Sequence, residues 1–264
     1  MGRRRLDAEL VRRGLAASRS QAQEAVSAGR VTVGGITATK AASLVTDDAP
    51  VALSKPPPFF VSRGGAKLAA ALDRFAVAPE GRDCFDAGAS TGGFTDCLLQ
   101  RGAARVIAVD VGYGQLSWSL RTDPRVTVME RTNVRDLTST MLAYVPDLLV
   151  ADLSFISLRL VLPVLAKLAG PEATFVVLVK PQFEAGRAHV GRGGVVRDPD
   201  VWRSALSGVM AAARSASLEP MNMMASPLPG PAGNVEFPLH LIAGSPPSKV
   251  DLDAAVREGE ALVR

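Results

Sequence analysis

Histidine, cysteine and long apolar runs are scarce in this 264-residue chain, and each scarcity removes a class of function. The two histidines, His189 and His240, stand far apart and suggest neither a catalytic triad nor a metal site. Cys84 and Cys97 form no C-x-x-C pair, so no disulfide framework is expected, and both read as small buried apolar residues. Apolar residues make up 47% of the chain, yet Asp152, Arg159, Pro163 and Lys167 interrupt even the rich stretch 148–168, so no stable membrane insertion is expected. The start Met1-Gly2-Arg3-Arg4-Arg5 leads into Asp7 and Glu9 rather than an apolar signal region, which makes the cytoplasm the expected compartment.

Positive charge, by contrast, is concentrated at the front. Residues 1–67 carry eleven Lys or Arg against five Asp or Glu, whereas the remainder carries nineteen against twenty-one. A basic segment on a near-neutral body suggests a nucleic acid or another anionic partner. Within it, Leu6, Leu10 and Val11 recur at helical spacing after Asp7 as the expected cap, and Gly14 stops the helix. Ser18 and Gln21 form a capping box for a second helix that turns Ala22, Ala25 and Val26 inward and Arg19 outward. Val31–Val33, the turn Gly34-Gly35 and residues 36–39 read as a hairpin, followed by Lys40 and a strand at Val51–Leu53. Pro56-Pro57-Pro58 then stiffens a linker over 55–61.

The larger part opens with an amphipathic helix carrying Lys67, Leu68, Ala71, Leu72 and Phe75. A strand at 83–86 then runs straight into Ala87-Gly88-Ala89-Ser90-Thr91-Gly92-Gly93-Phe94, a glycine-rich turn at a helix N-terminus where backbone N–H groups can face a ligand. Ser90 occupies the place of the middle glycine in the dinucleotide fingerprint, so the match to G-x-G-x-x-G is incomplete. Further strands are expected at 105–110, 126–129, 146–152 and 174–179. With helices between them, they predict an α/β protein with a doubly wound parallel sheet and ligands at the carboxyl ends of the strands. Gly88, Asp110, Asn133, Asp152 and Lys180 fall at those ends, and Asp110 has the spacing of a ribose-holding acid. A late strand over 233–240 brings Glu236 back to the sheet, while 202–218 and 251–263 read as covering helices.

Two sets of strings carry a family resemblance. R-L-D-x-x-L-V-x-x-G-L-x-x-S-R-x-x-A, from Arg5 to Ala22, resembles the RNA-binding module of ribosomal protein S-four over about residues 3–53. That resemblance implies RNA phosphate contacts for Arg3, Arg4, Arg5, Arg19 and Lys40. Asp86-Ala-Gly-Ala-Ser-Thr-Gly-Gly-Phe-Thr95, Ala151-Asp-Leu-Ser-Phe-Ile-Ser157 and Val179-Lys-Pro-Gln-Phe-Glu184, with the order Lys67, Asp152, Lys180, Glu236, resemble the FtsJ-type ribose methyltransferases. The whole chain resembles the TlyA family, which joins the two parts.

The resemblance implies a Rossmann-like class I S-adenosylmethionine-dependent methyltransferase sheet over 62–264, behind a small α+β RNA-binding domain over 1–54. It implies methylation of ribose 2′-hydroxyls in ribosomal RNA within both ribosomal subunits, at cytidines; no protein partner is implied. Lys67, Asp152, Lys180 and Glu236 would be the catalytic set. Asp86, Gly88, Ala89, Ser90, Thr91, Gly92, Gly93, Phe94, Asp110, Asn133 and Asp152 would surround the cofactor. A ribose hydroxyl is a weak nucleophile that loses its proton as it attacks, so an amine held in the cleft, Lys180, is the expected proton acceptor, oriented by Asp152. Rival expectations are a nicotinamide-dependent oxidoreductase on the same fold, a non-catalytic RNA-binding or assembly protein, and a membrane-lytic protein, since relatives of this family are described as haemolysins.

Overall fold

Eight apolar side chains, all but Ala16 at helix or strand positions and among them Leu6, Leu10, Ala25, Val26 and Val31, gather into a separate small core at the front of the chain. The computed structural model describes residues 3–54 and 59–263, so residues 55–58 of the expected linker lie outside the described residues. The chain divides into two compact units, the second beginning at Phe60. In the first, β1 (Arg3–Arg5) precedes α1 (Leu6–Arg12), α2 (Arg19–Ser27), β2 (Val31–Val33), β3 (Ile36–Thr37), β4 (Leu44–Thr46) and β5 (Val51–Leu53). The Gly34-Gly35 hairpin forms, with both glycines at positive φ. Ser18 caps α2 by accepting from the Gln21 N–H.

Two details of this unit differ from expectation. The Arg3-Arg4-Arg5 run is a strand, paired antiparallel with β4. Helix α1 begins at Leu6, so Asp7 is not its cap: the Leu6 and Asp7 N–H groups donate to the carbonyls of Ser43 and Ala41, and the Ala8 N–H donates to the Asp7 carboxylate from within the first turn.

The second unit runs through α3 (Arg63–Phe75), β6 (Asp83–Ala87), α4 (Gly93–Gln100), β7 (Arg105–Val109), α5 (Trp118–Arg121), β8 (Val126–Met129), β9 (Leu148–Ala151), α6 (Leu158–Leu168), β10 (Thr174–Val179), α7 (Pro181–Glu184), α8 (Pro199–Ser215), β11 (Leu218–Met223), β12 (Phe237–Ala243) and α9 (Leu252–Val263). Phe60 and Val61, expected in the linker, belong to it: Phe60 is buried and the Val61 N–H donates to Asp96 at 2.8 Å. Strand order is β11-β12-β10-β9-β6-β7-β8.

Residues alternate between the two faces of this sheet in its parallel strands. Phe85, Leu149, Ala151, Phe175 and Val177 join one core with α6, α8 and α9, while Cys84, Leu148, Val150, Val176 and Leu178 join the other with α3 and α4. Strands β10, β9, β6, β7 and β8 are parallel, but β12 is antiparallel to both its neighbours. Antiparallel strands need no helical crossover, and the chain makes the β11 to β12 return through a loop alone. No helix among the described residues is long and apolar enough to cross a membrane.

Candidate active site

Strand order reverses at β6. Its crossover through α4 leads to β7 on one side, while β9 pairs on the other, so a crevice opens beyond the carboxyl ends of β6 and β9. The Gly88 turn and Asp152 meet there, with the Asp152 N–H donating to the Ala87 carbonyl at 3.0 Å. A Cβ on Gly88 would lie 2.6 Å from the Asp152 carbonyl oxygen, and Gly88 holds φ +84°, so only glycine fits this approach. Ser90 also takes a left-handed φ of +49°, and its N–H donates to Asp110 Oδ2 at 2.8 Å. The position therefore adopts glycine-like backbone geometry, secured by a hydrogen bond, and the incomplete fingerprint does not weaken the turn.

Two adjoining clefts share Gly88, Ser90, Asp152 and Ser154. The larger, about 720 Å³, is lined further by Asp110, Gln115, Asn133, Leu153 and Phe155. Asp110 is fixed on its wall, Oδ1 accepting from the Gly112 N–H at 2.7 Å and Oδ2 from Ser90. The smaller, about 430 Å³, is lined by Lys67, Lys180 and Glu236 together with Ala89, Thr91, Gly93 and Phe94. Of the residues expected around a cofactor, Gly92 and Asp86 line neither cleft. Asp86 lies buried beneath the turn and accepts from Thr95 Oγ1 at 2.7 Å.

The four residues in the order Lys, Asp, Lys, Glu come together in the smaller cleft as two ion pairs. Lys180 Nζ lies 2.6 Å from Asp152 Oδ1, and Lys67 Nζ lies 2.5 Å from Glu236 Oε2. Both lysines and Glu236 are buried, so each charge depends on its partner. Topology sets the first pair, since β9 and β10 are parallel neighbours and each delivers one residue past its end. The second pair joins α3 to the loop before β12, where the Glu236 carbonyl accepts from the Ser226 N–H and the Asn234 carbonyl from the Gly230 N–H.

Several participants escaped sequence reasoning. Ser154 accepts from Lys180 Nζ at 3.0 Å. Phe155 is 91% exposed at φ +63° and packs against Phe183 with centroids 5.2 Å apart. Asn234 ties the 184–199 loop down, accepting from the Val196 N–H and donating to the Gly194 carbonyl. The strings A-D-L-S-F-I-S and V-K-P-Q-F-E held the first two; their roles appear only when β9 and β10 lie side by side.

The arginines expected to meet RNA are exposed on the first unit, but three carry internal partners: Arg4 pairs with Glu9, and Arg5 and Arg19 pair with Asp7. Arg3 and Lys40 have no ion pair among the described residues.

Comparison with known proteins gives the geometry a lineage. The FtsJ-like methyltransferase model matches residues 60–242 and the S4 domain model residues 4–51. The 16S/23S rRNA (cytidine-2'-O)-methyltransferase TlyA of Mycobacterium tuberculosis is 55% identical over 240 residues, covering 90% of each chain. Hemolysin A of Brachyspira hyodysenteriae is 38% identical over 239 residues, covering 90% of this chain and 99% of its own. The solved structure of a proposed hemolysin from Streptococcus thermophilus is 39% identical, with a TM-score of 0.73 over 99% of this chain and 95% of the other. With its glycine turn, its two lysine–carboxylate pairs and these relatives, the chain belongs to the FtsJ-like methyltransferase family, in its TlyA branch.

Proposed function

We propose that this chain methylates ribose 2′-hydroxyls of ribosomal RNA, at cytidines, using S-adenosylmethionine, with ribosomal subunits as the substrate particles. The observation that carries this reading is the junction of the two clefts, where Asp152 and Ser154 line both and Lys180 is held by each of them. The Mycobacterium tuberculosis relative is named for cytidine-2'-O methylation of 16S and 23S rRNA.

The larger cleft fits the methyl donor. Its glycine turn admits close approach of a ligand to the backbone, and Asp110, locked by two backbone N–H groups, keeps a second lone pair on each oxygen for ribose hydroxyls. S-adenosylmethionine supplies a methyl group on a cationic sulfur. The chain's own residues supply the rest. Lys180 rests as the charged partner of Asp152; once it has released a proton to solvent, its Nζ takes the proton that the 2′-hydroxyl gives up, and Asp152 and Ser154 keep that nitrogen aimed at the junction. Lys67 and Glu236 line the smaller cleft with Lys180 and hold the ribose, and alignment there lowers the barrier further. Phe155 offers an exposed aromatic face beside the cleft for an acceptor base.

Radiolabelled S-adenosylmethionine and separated ribosomal subunits test this directly. Lys180→Ala is expected to lower label transfer by about two to four orders of magnitude with donor binding retained. Equal transfer by variant and wild type would remove Lys180 from the mechanism, and RNA binding without transfer by either would leave an assembly factor.

A further inference from the structure

Asp7 and Glu9 of α1 are carboxylates with no exposed surface, and arginines surround both. Asp7 accepts from Arg5 Nε and Nη2 at 3.1 and 2.9 Å, from Arg19 Nη2 at 3.1 Å, from Gln23 Nε2 at 2.9 Å, and from the Ala8 N–H. Glu9 accepts from Arg12 Nε and Nη2 at 2.8 and 2.5 Å, from Arg13 Nε at 2.6 Å and from Arg4 Nη1 at 3.3 Å. The arginine hydrogen bonds hold both carboxyls well below their ordinary range, so both stay charged at neutral pH.

Arg5 and Arg12 repeat one arrangement. Each turns its Nε and Nη2 edge inward onto a carboxylate, each leaves Nη1 without a hydrogen-bond partner among the described residues, and their side chains remain 46% and 48% exposed. A guanidinium is planar, so fixing one edge fixes the other as a fork of outward N–H donors, the geometry that fits a phosphate. A free arginine side chain would instead lose its rotamer freedom on binding.

We propose that Asp7 and Glu9 are positioning residues for RNA: they hold Arg5 and Arg12 with their free edges outward to receive backbone phosphates, so two negative charges strengthen binding to a polyanion. This rests on the reading of the chain as an enzyme acting on ribosomal RNA, with the first unit, which matches the S4 domain, meeting that RNA. Net charge alone gives the opposite sign. Asp7→Asn adds one positive charge and by that account tightens binding, whereas positioning requires the arginines to be released and the affinity to fall. The asparagine NH₂ donates where Arg5 needs an acceptor.

The full-length chain is titrated with purified ribosomal RNA across a salt series. Asp7→Asn and Glu9→Gln are each expected to weaken binding about five- to tenfold, and equal or tighter binding overturns the proposal. Should Asp7→Asn unfold the first unit, seen as the disappearance of its melting transition, the decision passes to Arg5→Lys with Arg12→Lys. These keep the charge and both carboxylates but lack a second edge; they are expected to bind about fivefold more weakly, and unchanged affinity sinks the idea. If Arg5→Ala with Arg19→Ala leaves wild-type affinity intact, the RNA-contact reading itself fails, and positioning with it.

Discussion

Asp86 is wholly buried under the glycine turn, with Oδ2 bonded to Thr95 and Oδ1 without a hydrogen-bond partner among the described residues. Burial pushes its pKa up to about 7, helped by the Asp152 and Asp110 charges and opposed by the Thr95 hydrogen bonds. The folded state thus holds this proton more tightly than the unfolded chain, whose ordinary value is 3.8. Its stabilising effect is complete below about pH 4 and is lost as the pH rises through about 7, roughly 4 kcal/mol in all. Asp86→Asn is expected to flatten that slope and to leave the methyltransferase unit more stable than wild type above about pH 7. Denaturant midpoints of the ligand-free chain across this range check it, and parallel curves for the two proteins would refute it. The sequence places Asp86 at the ligand, but strand alternation directs its side chain to the α3 and α4 face, away from both clefts.

Helix α6 shows how the two motif strings that hold Asp152 and Lys180 are bound into one structure. Glu184, four residues after Lys180, receives Ser157 Oγ at 2.5 Å and the Leu158 N–H at 2.7 Å, capping the helix that follows Asp152, while Arg159 Nε donates to it at 3.2 Å. Glu184→Ala leaves first-turn donors unpaired and is expected to cost about 1–3 kcal/mol, with Glu184→Gln recovering part of it. Thermal denaturation reads the effect, and an unchanged midpoint for Glu184→Ala would show the cap to be dispensable. Most elements of this unit are legible in the sequence because their periodicity is local: β6 to β10 fall where alternation and β-branched runs put them. Strand β11 is not legible. The covering helix stops at Ser215 and the chain turns at Ser217, φ +59°, where no glycine signals the break. Pro220 then falls inside the strand, which tolerates it as a sheet edge. The two lysine–carboxylate pairs sit between these cases. Residue type and order identify their four members, and adjacent strand ends already pair Asp152 with Lys180, but that Glu236 serves Lys67 follows only from the turn before β12.

Over the whole molecule, charge is divided as function is. The basic excess of residues 1–67 lies mostly on a unit with its own small core, and the slightly acidic remainder supplies most of the lining of the two clefts. Within the basic unit the arginines are of two kinds. Arg5 and Arg12, clasped by Asp7 and Glu9, are the two proposed above as oriented forks, whereas the exposed cations Arg3 and Lys40, without ion pairs among the described residues, would serve as point charges. Point charges that neutralise phosphates release counterions, so each contributes to the salt dependence of RNA binding without setting its geometry. Arg3→Ala with Lys40→Ala is therefore expected to reduce the slope of log affinity against log salt by about 0.7–0.9 for each phosphate no longer neutralised. The weakening should be similar on 16S and 23S rRNA, because phosphate contacts carry no sequence information. Donor binding should not move, since neither residue lies in the unit that holds the cofactor cleft. Equilibrium binding of RNA over a salt series, beside calorimetric titration with S-adenosylmethionine, measures both. A slope that stays constant would mean that these two cations face solvent and not RNA, and a fall in donor affinity would mean that the units do not divide the work as their charges do.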